Sequence, residues 1–72
     1  MLKNAGLAHL IYYTPEYEMV VPGSYVLCAV SGARIDLDEL KYWSAEFQEA
    51  YRSAVEATAA FVAGGAKNLS KA

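Results

Sequence analysis

The sequence predicts an α+β domain: a small antiparallel three- to four-stranded β-meander followed by one C-terminal α-helix packed on the sheet. Three observations predict it. The first half holds short β-rich runs separated by turn residues. Apolar residues then recur at helical spacing from about Ala45 to Ala63, and Gly64-Gly65 closes that stretch. A helix laid on a sheet buries the apolar stripe of one and the apolar face of the other together.

The elements are taken in chain order. Residues 1–8 read as a flexible N-terminus, 9–65 as the single domain and 66–72 as a disordered tail. Residues 9–13 (HLIYY) are rich in β-formers, and Thr14-Pro15-Glu16 turns the chain. Residues 17–21 (YEMVV) form a second strand with Tyr17, Met19 and Val21 on one face. Pro22-Gly23 suits a type II turn, with glycine at the position of positive φ. Residues 25–30 (YVLCAV) are apolar throughout and read as a central strand covered on both faces. Ser31-Gly32 turns into 33–37 (ARIDL), whose alternation marks a half-buried strand paired as a hairpin. Asp38 to Lys41 fits either a helical turn or a continued strand.

Ser44 reads as the cap of the helix, its hydroxyl positioned to accept from a free first-turn amide. Phe47, Tyr51, Ala54, Thr58 and Phe61 then share one helical face, widened by Ala50, Val55 and Val62. The expected core is Ile11, Met19, Val26, Cys28, Val30, Ile35, Leu37, Leu40, Trp43, Phe47, Tyr51 and Ala54. Trp43 is expected to anchor the helix start against the sheet.

Composition narrows the function classes. A chain of 72 residues has room for one domain. Its net charge of −2 and scattered basic residues lack the patch of a nucleic-acid binder. A single cysteine, Cys28, excludes an intramolecular disulfide scaffold. No run approaches the ~18 apolar residues of a membrane span, and the apolar stretch 5–13 lacks a signal-peptide cleavage site. The expected location is the cytoplasm, with no membrane partner.

Candidate chemistry is sparse. Cys28-Ala29-Val30-Ser31-Gly32 has the spacing of a zinc knuckle, but serine replaces the second cysteine. One thiolate and the lone His9 do not make a four-ligand site, so neither metal nor cofactor is expected. A nucleophilic role for Cys28 would need a nearby base, and burial in an apolar strand would raise its pKa. Asp36, Asp38 and Glu39 read as a solvated rim. No glycine-rich phosphate loop is present. The expectation is therefore a protein that is not an enzyme.

The run CAVSGARIDLDELKYWSAEFQEAY, from Cys28 to Tyr51, resembles a bacterial family of short proteins classed as a domain of unknown function. Its members carry a CAVTG-like knuckle, an LDELRYWS-like segment and a helical Q-E-A-Y stretch. The resemblance implies an intracellular bacterial protein and transfers no activity. Its knuckle implies descent from, or convergence on, a zinc-ribbon hairpin that has lost its metal.

Six tyrosines in so short a chain are more than a small core needs. Two function readings result. The first is a non-catalytic protein-interaction or adaptor module, binding an unknown protein partner or forming a weak homodimer through exposed tyrosines or a free strand edge. Tyr17 and Tyr25, expected side by side on adjacent strands, are the first candidates for that surface. The second is a nucleic-acid-associated accessory protein built on the metal-free zinc-ribbon-like hairpin and stacking bases on tyrosines. The acidic balance favours the first.

Overall fold

The computed structural model describes residues 6–69. It is α+β with antiparallel strand pairing and one C-terminal helix, but the expected meander is replaced by three separate two-stranded hairpins. β1 (His9–Tyr12) pairs with β2 (Tyr17–Val21), β3 (Tyr25–Leu27) with β4 (Arg34–Asp36), and β5 (Tyr42–Ser44) with β6 (Glu49–Tyr51). The helix α1 spans Ala54–Ala63. Short 3-10 turns lie at Leu37–Glu39 and Ala66–Asn68. The first of these settles Asp38–Glu39 as a helical turn, with Leu40 buried behind it.

The hairpins meet edge to edge through few backbone bonds. Ala8 donates to the Tyr25 carbonyl at 2.8 Å, and Ser24 donates to Gly6 at 2.9 Å. Ala29 donates to Ala50 at 2.9 Å, joining the loop after β3 to β6. Between them lies one core of Ala8, Leu10, Tyr12, Val26, Cys28, Ile35, Leu40 and Ala50, with Trp43, Val30 and Leu37 partly buried against it. Ile35 is fully buried. Four expected core residues take other positions: Ile11, Met19 and Ala54 are exposed, and Phe47 is half-buried, while Tyr51 is buried as expected. In β1 it is Leu10 and Tyr12 that point inward. A strand apolar on both faces does not declare its inner face, and a one-residue change of parity exchanges them.

Pro22-Gly23 carries the chain from one hairpin to the next instead of closing a hairpin. Gly23 has no positive φ, so the type II turn is not formed. Glycine is needed there for closeness: a Cβ would lie 2.5 Å from the Ala8 nitrogen and 2.6 Å from the Gly6 oxygen. Strand β3 ends at Leu27, short of the expected Val30, and Leu27 is exposed.

The helix departs most from expectation. It starts at Ala54, and residues 42–51 form the third hairpin. Ser53 is the cap: its hydroxyl accepts from Val55 N–H at 3.3 Å and donates to the Glu56 carboxylate. Serine at the cap with glutamate three residues on is the capping-box pattern. Ser44 Oγ instead accepts from Phe47 N–H at 2.9 Å within the 45–48 loop. The inner face of α1 carries Ala60, and the expected stripe of Ala54, Thr58 and Phe61 points to solvent. Gly64, at φ 82°, and Gly65, whose N–H reaches the Ala60 carbonyl at 2.8 Å, close the helix in a Schellman-type end. The Phe47 ring lies over Gly65.

The expected terminal segments are partly engaged. Leu7 forms a parallel bridge with Tyr25, and Ala8 is buried. Ala66 N–H donates to the Glu49 carboxylate at 2.7 Å, so the 66–68 turn sits against β6. Residues 1–5 and 70–72 of the expected flexible ends lie outside the described residues.

Candidate interaction surface

Gln48 organises the surface around the first hairpin. It is the last residue of the β5–β6 loop and sits at φ 54°, in the left-handed region. There its amide lies alongside β1. Gln48 Nε2 donates to the Tyr12 carbonyl at 2.7 Å, and Tyr12 N–H donates to Gln48 Oε1 at 3.0 Å. The same Nε2 donates to Ala45 O at 2.7 Å, within its own loop. One side chain thus stands in for a strand residue and closes that end of β1.

The left-handed backbone costs about 1–2 kcal/mol for any L-residue, and the amide bonds offset it. Gln48→Ala keeps the backbone cost and leaves Tyr12 without its partner, so a loss of about 2 kcal/mol is expected in urea unfolding. Gln48→Gly loses the same bonds but relieves the backbone. It should be more stable than the alanine variant by about 1 kcal/mol. Equal stability of the two variants would show that the backbone at this position carries no strain.

Trp43 braces the same hairpin from β5. Its ring stacks on Tyr12, with centroids 6.2 Å apart, and meets Tyr17 edge-on at 5.4 Å. Its Nε1 donates to the Tyr13 carbonyl at 2.8 Å. Burial, with Tyr17 nearby, pushes the Tyr12 hydroxyl above its ordinary pKa. Trp43 therefore stabilises the β1–β2 turn, not a helix start.

The outer edge of β2 is then the open one. Among the described residues, β2 pairs with β1 alone. The Tyr12 N–H and carbonyl point away from β2, toward Gln48. Tyr12 and Tyr17 are therefore a non-hydrogen-bonded pair, and the Tyr17 amide and carbonyl also point outward. Alternation places Met19 in the same sense. Met19, Val20 and Val21 are all exposed beside that edge.

Tyr17 and Tyr25 are not brought together as expected. They occupy β2 and β3, which belong to different sheets. Tyr17 is half-buried against Trp43. Tyr25 lies under the Arg34 guanidinium, 4.3 Å from its ring centroid. Arg34 in turn pairs with Asp36 at 2.8 Å in an ion pair exposed to solvent, which screens it.

The knuckle is formed around a single thiol. Cys28 N–H donates to Ala33 O at 2.8 Å, Gly32 N–H to Cys28 O at 2.9 Å, and Ser31 N–H to Cys28 Sγ at 3.4 Å. Burial acts to raise the thiol pKa. The Ser31 hydroxyl and the amides of Ser31, Arg52 and Val30 outweigh it, and the net shift is downward, opposite to the expectation for a strand cysteine. The thiol is nonetheless buried, and His9 is exposed on β1. Among the described residues no group of three or more His, Cys, Asp or Glu could hold a metal ion.

Asp38 and Glu39 are exposed and line an open cleft of about 430 Å³ with Lys41, Tyr42, Arg52, Ser53 and Ala54. Glu49 is a structural carboxylate that sequence reasoning overlooked. It accepts from Tyr51 Oη and from Ala66 N–H, both at 2.7 Å. Burial and this bond raise the Tyr51 pKa. Gln48 was overlooked as well. A glutamine at a loop end carries no local signal that its amide will pair with a strand some 36 residues earlier.

The fold and surface define a small α+β protein of three hairpins and one helix, carrying a single-cysteine knuckle and an open strand edge. Residues 19–60 match the family model described as an uncharacterized protein conserved in bacteria (DUF2093), and the chain belongs to that family. Neither the curated proteins nor the solved structures give a significant match. No helix among the described residues is long and apolar enough to cross a membrane.

Proposed function

We propose that this protein is a non-catalytic interaction module of the bacterial cytoplasm, and that it takes an extended segment of a protein partner along the outer edge of β2. The observation that supports this reading is the asymmetry of the first hairpin. β1 is engaged at both ends of its outer edge, by Ala8–Tyr25 and by Gln48, whereas β2 presents the backbone of Tyr17 and Met19 with no partner at either end among the described residues. Strand addition uses such an edge: main-chain bonds supply affinity, and alternate side chains supply selectivity.

The charge around it suits a basic segment. Glu16 and Glu18 flank the edge, and no lysine or arginine occurs between Lys3 and Arg34. The partner segment is therefore extended, apolar at alternate positions and flanked by lysine or arginine. Tyr17 contributes its backbone and the rim of its ring. Tyr25, on another hairpin, bonds to the 7–8 segment and is not part of this edge.

Selection from a displayed library of random peptides tests the reading, with nuclear magnetic resonance titration of the recovered sequences. Basic-flanked extended peptides should be recovered, and the amides of Tyr17 and Met19 should shift. Met19→Pro removes one outward donor, which edge strands tolerate. It should weaken binding at least about tenfold while moving the melting temperature by only a few degrees. Recovery of no peptide, or shifts confined to other elements, would overturn the proposal. Binding of single-stranded oligothymidine that weakens steeply with salt would put the nucleic-acid reading in its place.

A further inference from the structure

β1 and β3 begin as neighbours and then part. Leu7 forms a parallel bridge with Tyr25, and Ala8 N–H donates to Tyr25 O at 2.8 Å. A parallel ladder would continue with Leu27 N–H on Ala8 O and Leu10 N–H on Leu27 O. Neither bond forms among the described residues; β1 pairs with β2, and β3 with β4. The backbone nevertheless points that way. Tyr13 N–H donates to Glu16 O at 2.8 Å and Ile11 lies opposite Glu18, so Leu10 and Tyr12 face away from β2. Cys28 N–H donates to Ala33 O at 2.8 Å and Leu37 N–H to Ser24 O at 3.1 Å, so Tyr25 and Leu27 face away from β4. Tyr12 is taken by Gln48, and Tyr25 O by Ala8. Leu10 and Leu27 are left, each with an N–H and a carbonyl turned into the gap.

The gap is a cleft of about 260 Å³ with Leu7, Ala8, Leu10, Leu27 and Gln48 in its lining. The Ala8–Tyr25 bond closes one end and the Gln48–Tyr12 pair the other. Leu10 is only 7 % exposed, and backbone groups at such depth almost always have a partner. We propose that this cleft binds a neutral primary carboxamide, that of a glutamine side chain carried by a partner protein. The amide group donates to the carbonyls in the gap, and its oxygen accepts from the Leu10 and Leu27 N–H groups. The site lies on the side of the first hairpin away from the outer edge of β2, and it does not rest on the function proposed for that edge.

Four observations select this occupant. Donors and acceptors stand together in the gap, and a carboxamide offers both, with two N–H donors and one carbonyl oxygen. A carboxylate would bring no donor to the carbonyls, and an ammonium no acceptor to the N–H groups. No aspartate, glutamate, lysine or arginine lines the cleft, so nothing there offsets the cost of desolvating a charge. Both ends are closed, so a main chain cannot run through as an added strand, and only a side chain can enter from outside. The volume agrees, because it falls below the ~300–1,000 Å³ of pockets for drug-sized ligands. The protein itself supplies the precedent. Two residues along the same edge, the Gln48 carboxamide donates to Tyr12 O at 2.7 Å and accepts from Tyr12 N–H at 3.0 Å. Leu7 and Leu27, both half-exposed at the rim, offer apolar surface to the methylenes of the entering side chain.

Nuclear magnetic resonance titration with N-acetylglutamine methylamide tests the proposal. The amides of Leu10 and Leu27 should shift and saturate, with a dissociation constant on the order of 1 mM for so small a probe. N-acetylglutamate methylamide has nearly the same shape but a carboxylate in place of the amide, and should bind at least about tenfold more weakly. Leu27→Pro removes one donor from the gap and should weaken the glutamine probe by a similar factor. Leu27→Ala keeps the backbone and should bind within about twofold of the unaltered protein, since its N–H and carbonyl are intact. The comparison of the two probes decides the matter in the unaltered protein, whatever Leu27→Pro does to the fold. Absence of saturable shifts means that the cleft holds water alone and overturns the proposal. Equal binding of the two probes overturns it, as does a tenfold loss in Leu27→Ala. Shifts confined to Tyr17 and Met19 overturn it too, while leaving the reading of the β2 edge in place.

Discussion

Replacing Trp43 with alanine is expected to lower the stability by about 3 kcal/mol, the lower end of the range for removing a large aromatic side chain. The ring is only half-buried, which keeps the figure from the top of that range. Three losses combine. The stack on Tyr12 and the edge contact with Tyr17 disappear, each worth about 0.5–1.5 kcal/mol. The bond from Nε1 to Tyr13 O goes with them. In a domain of this size the whole stability is about 4–10 kcal/mol. The melting temperature, followed by circular dichroism because the variant has no tryptophan left, should fall by about 12–24 °C. Trp43→Phe should recover the ring contacts but not the hydrogen bond, and fall between the two. An unchanged melting temperature for the alanine variant would mean that the third hairpin does not brace the first.

Gly23→Ala is expected to be as damaging, for a different reason. The added methyl would overlap the backbone of the 6–8 segment at 2.5–2.6 Å, and backbone has no rotamer to change. The segment must move away. Overpacking of this kind costs about 1–3 kcal/mol. The displaced segment also gives up Ala8–Tyr25 and Ser24–Gly6, each worth about 1 kcal/mol net. A loss of about 3–5 kcal/mol in urea unfolding should result, with amide exchange accelerating first at Ala8 and Ser24. Gly6→Ala is the control, since a Cβ there meets nothing within 4 Å. It should leave the urea midpoint in place. If Gly23→Ala also leaves it in place, the N-terminal segment does not dock as described.

Expectation and structure agree and part at particular residues. Local patterns found β2 at its full length, and β1 and β4 to within a residue at either end. They also placed the end of the helix at Gly64-Gly65. These are the places where β-branched and aromatic residues, prolines and glycines act on their own neighbours. The start of the helix was legible too, in Ser53-Ala54-Val55-Glu56, whose capping box fits the pattern better than Ser44, which has Phe47 three residues on. The spacing of Phe47, Tyr51, Ala54, Thr58 and Phe61 concealed it. That run satisfies a helical period while crossing the boundary between a hairpin and a helix.

The sequence by itself determined the class of the fold, the turns at Thr14-Pro15-Glu16 and Ser31-Gly32, the single-cysteine knuckle and the closing glycines, because each rests on short-range chemistry. Tertiary structure decided the rest. Residues 45–51 have good helix formers in Ala45, Glu46, Gln48 and Ala50, yet they form a hairpin. Only as a hairpin can Trp43 reach Tyr12 and Tyr17, Gln48 reach the Tyr12 backbone, and Ala50 accept from Ala29. Those contacts join residues about 20 to 36 positions apart, beyond the range of any local periodicity. The same contacts choose which edge of the first hairpin is engaged at its ends and which is left open. The open edge of β2 and the apolar outer face of α1 are thus decided by long-range packing, which no window of the sequence contains.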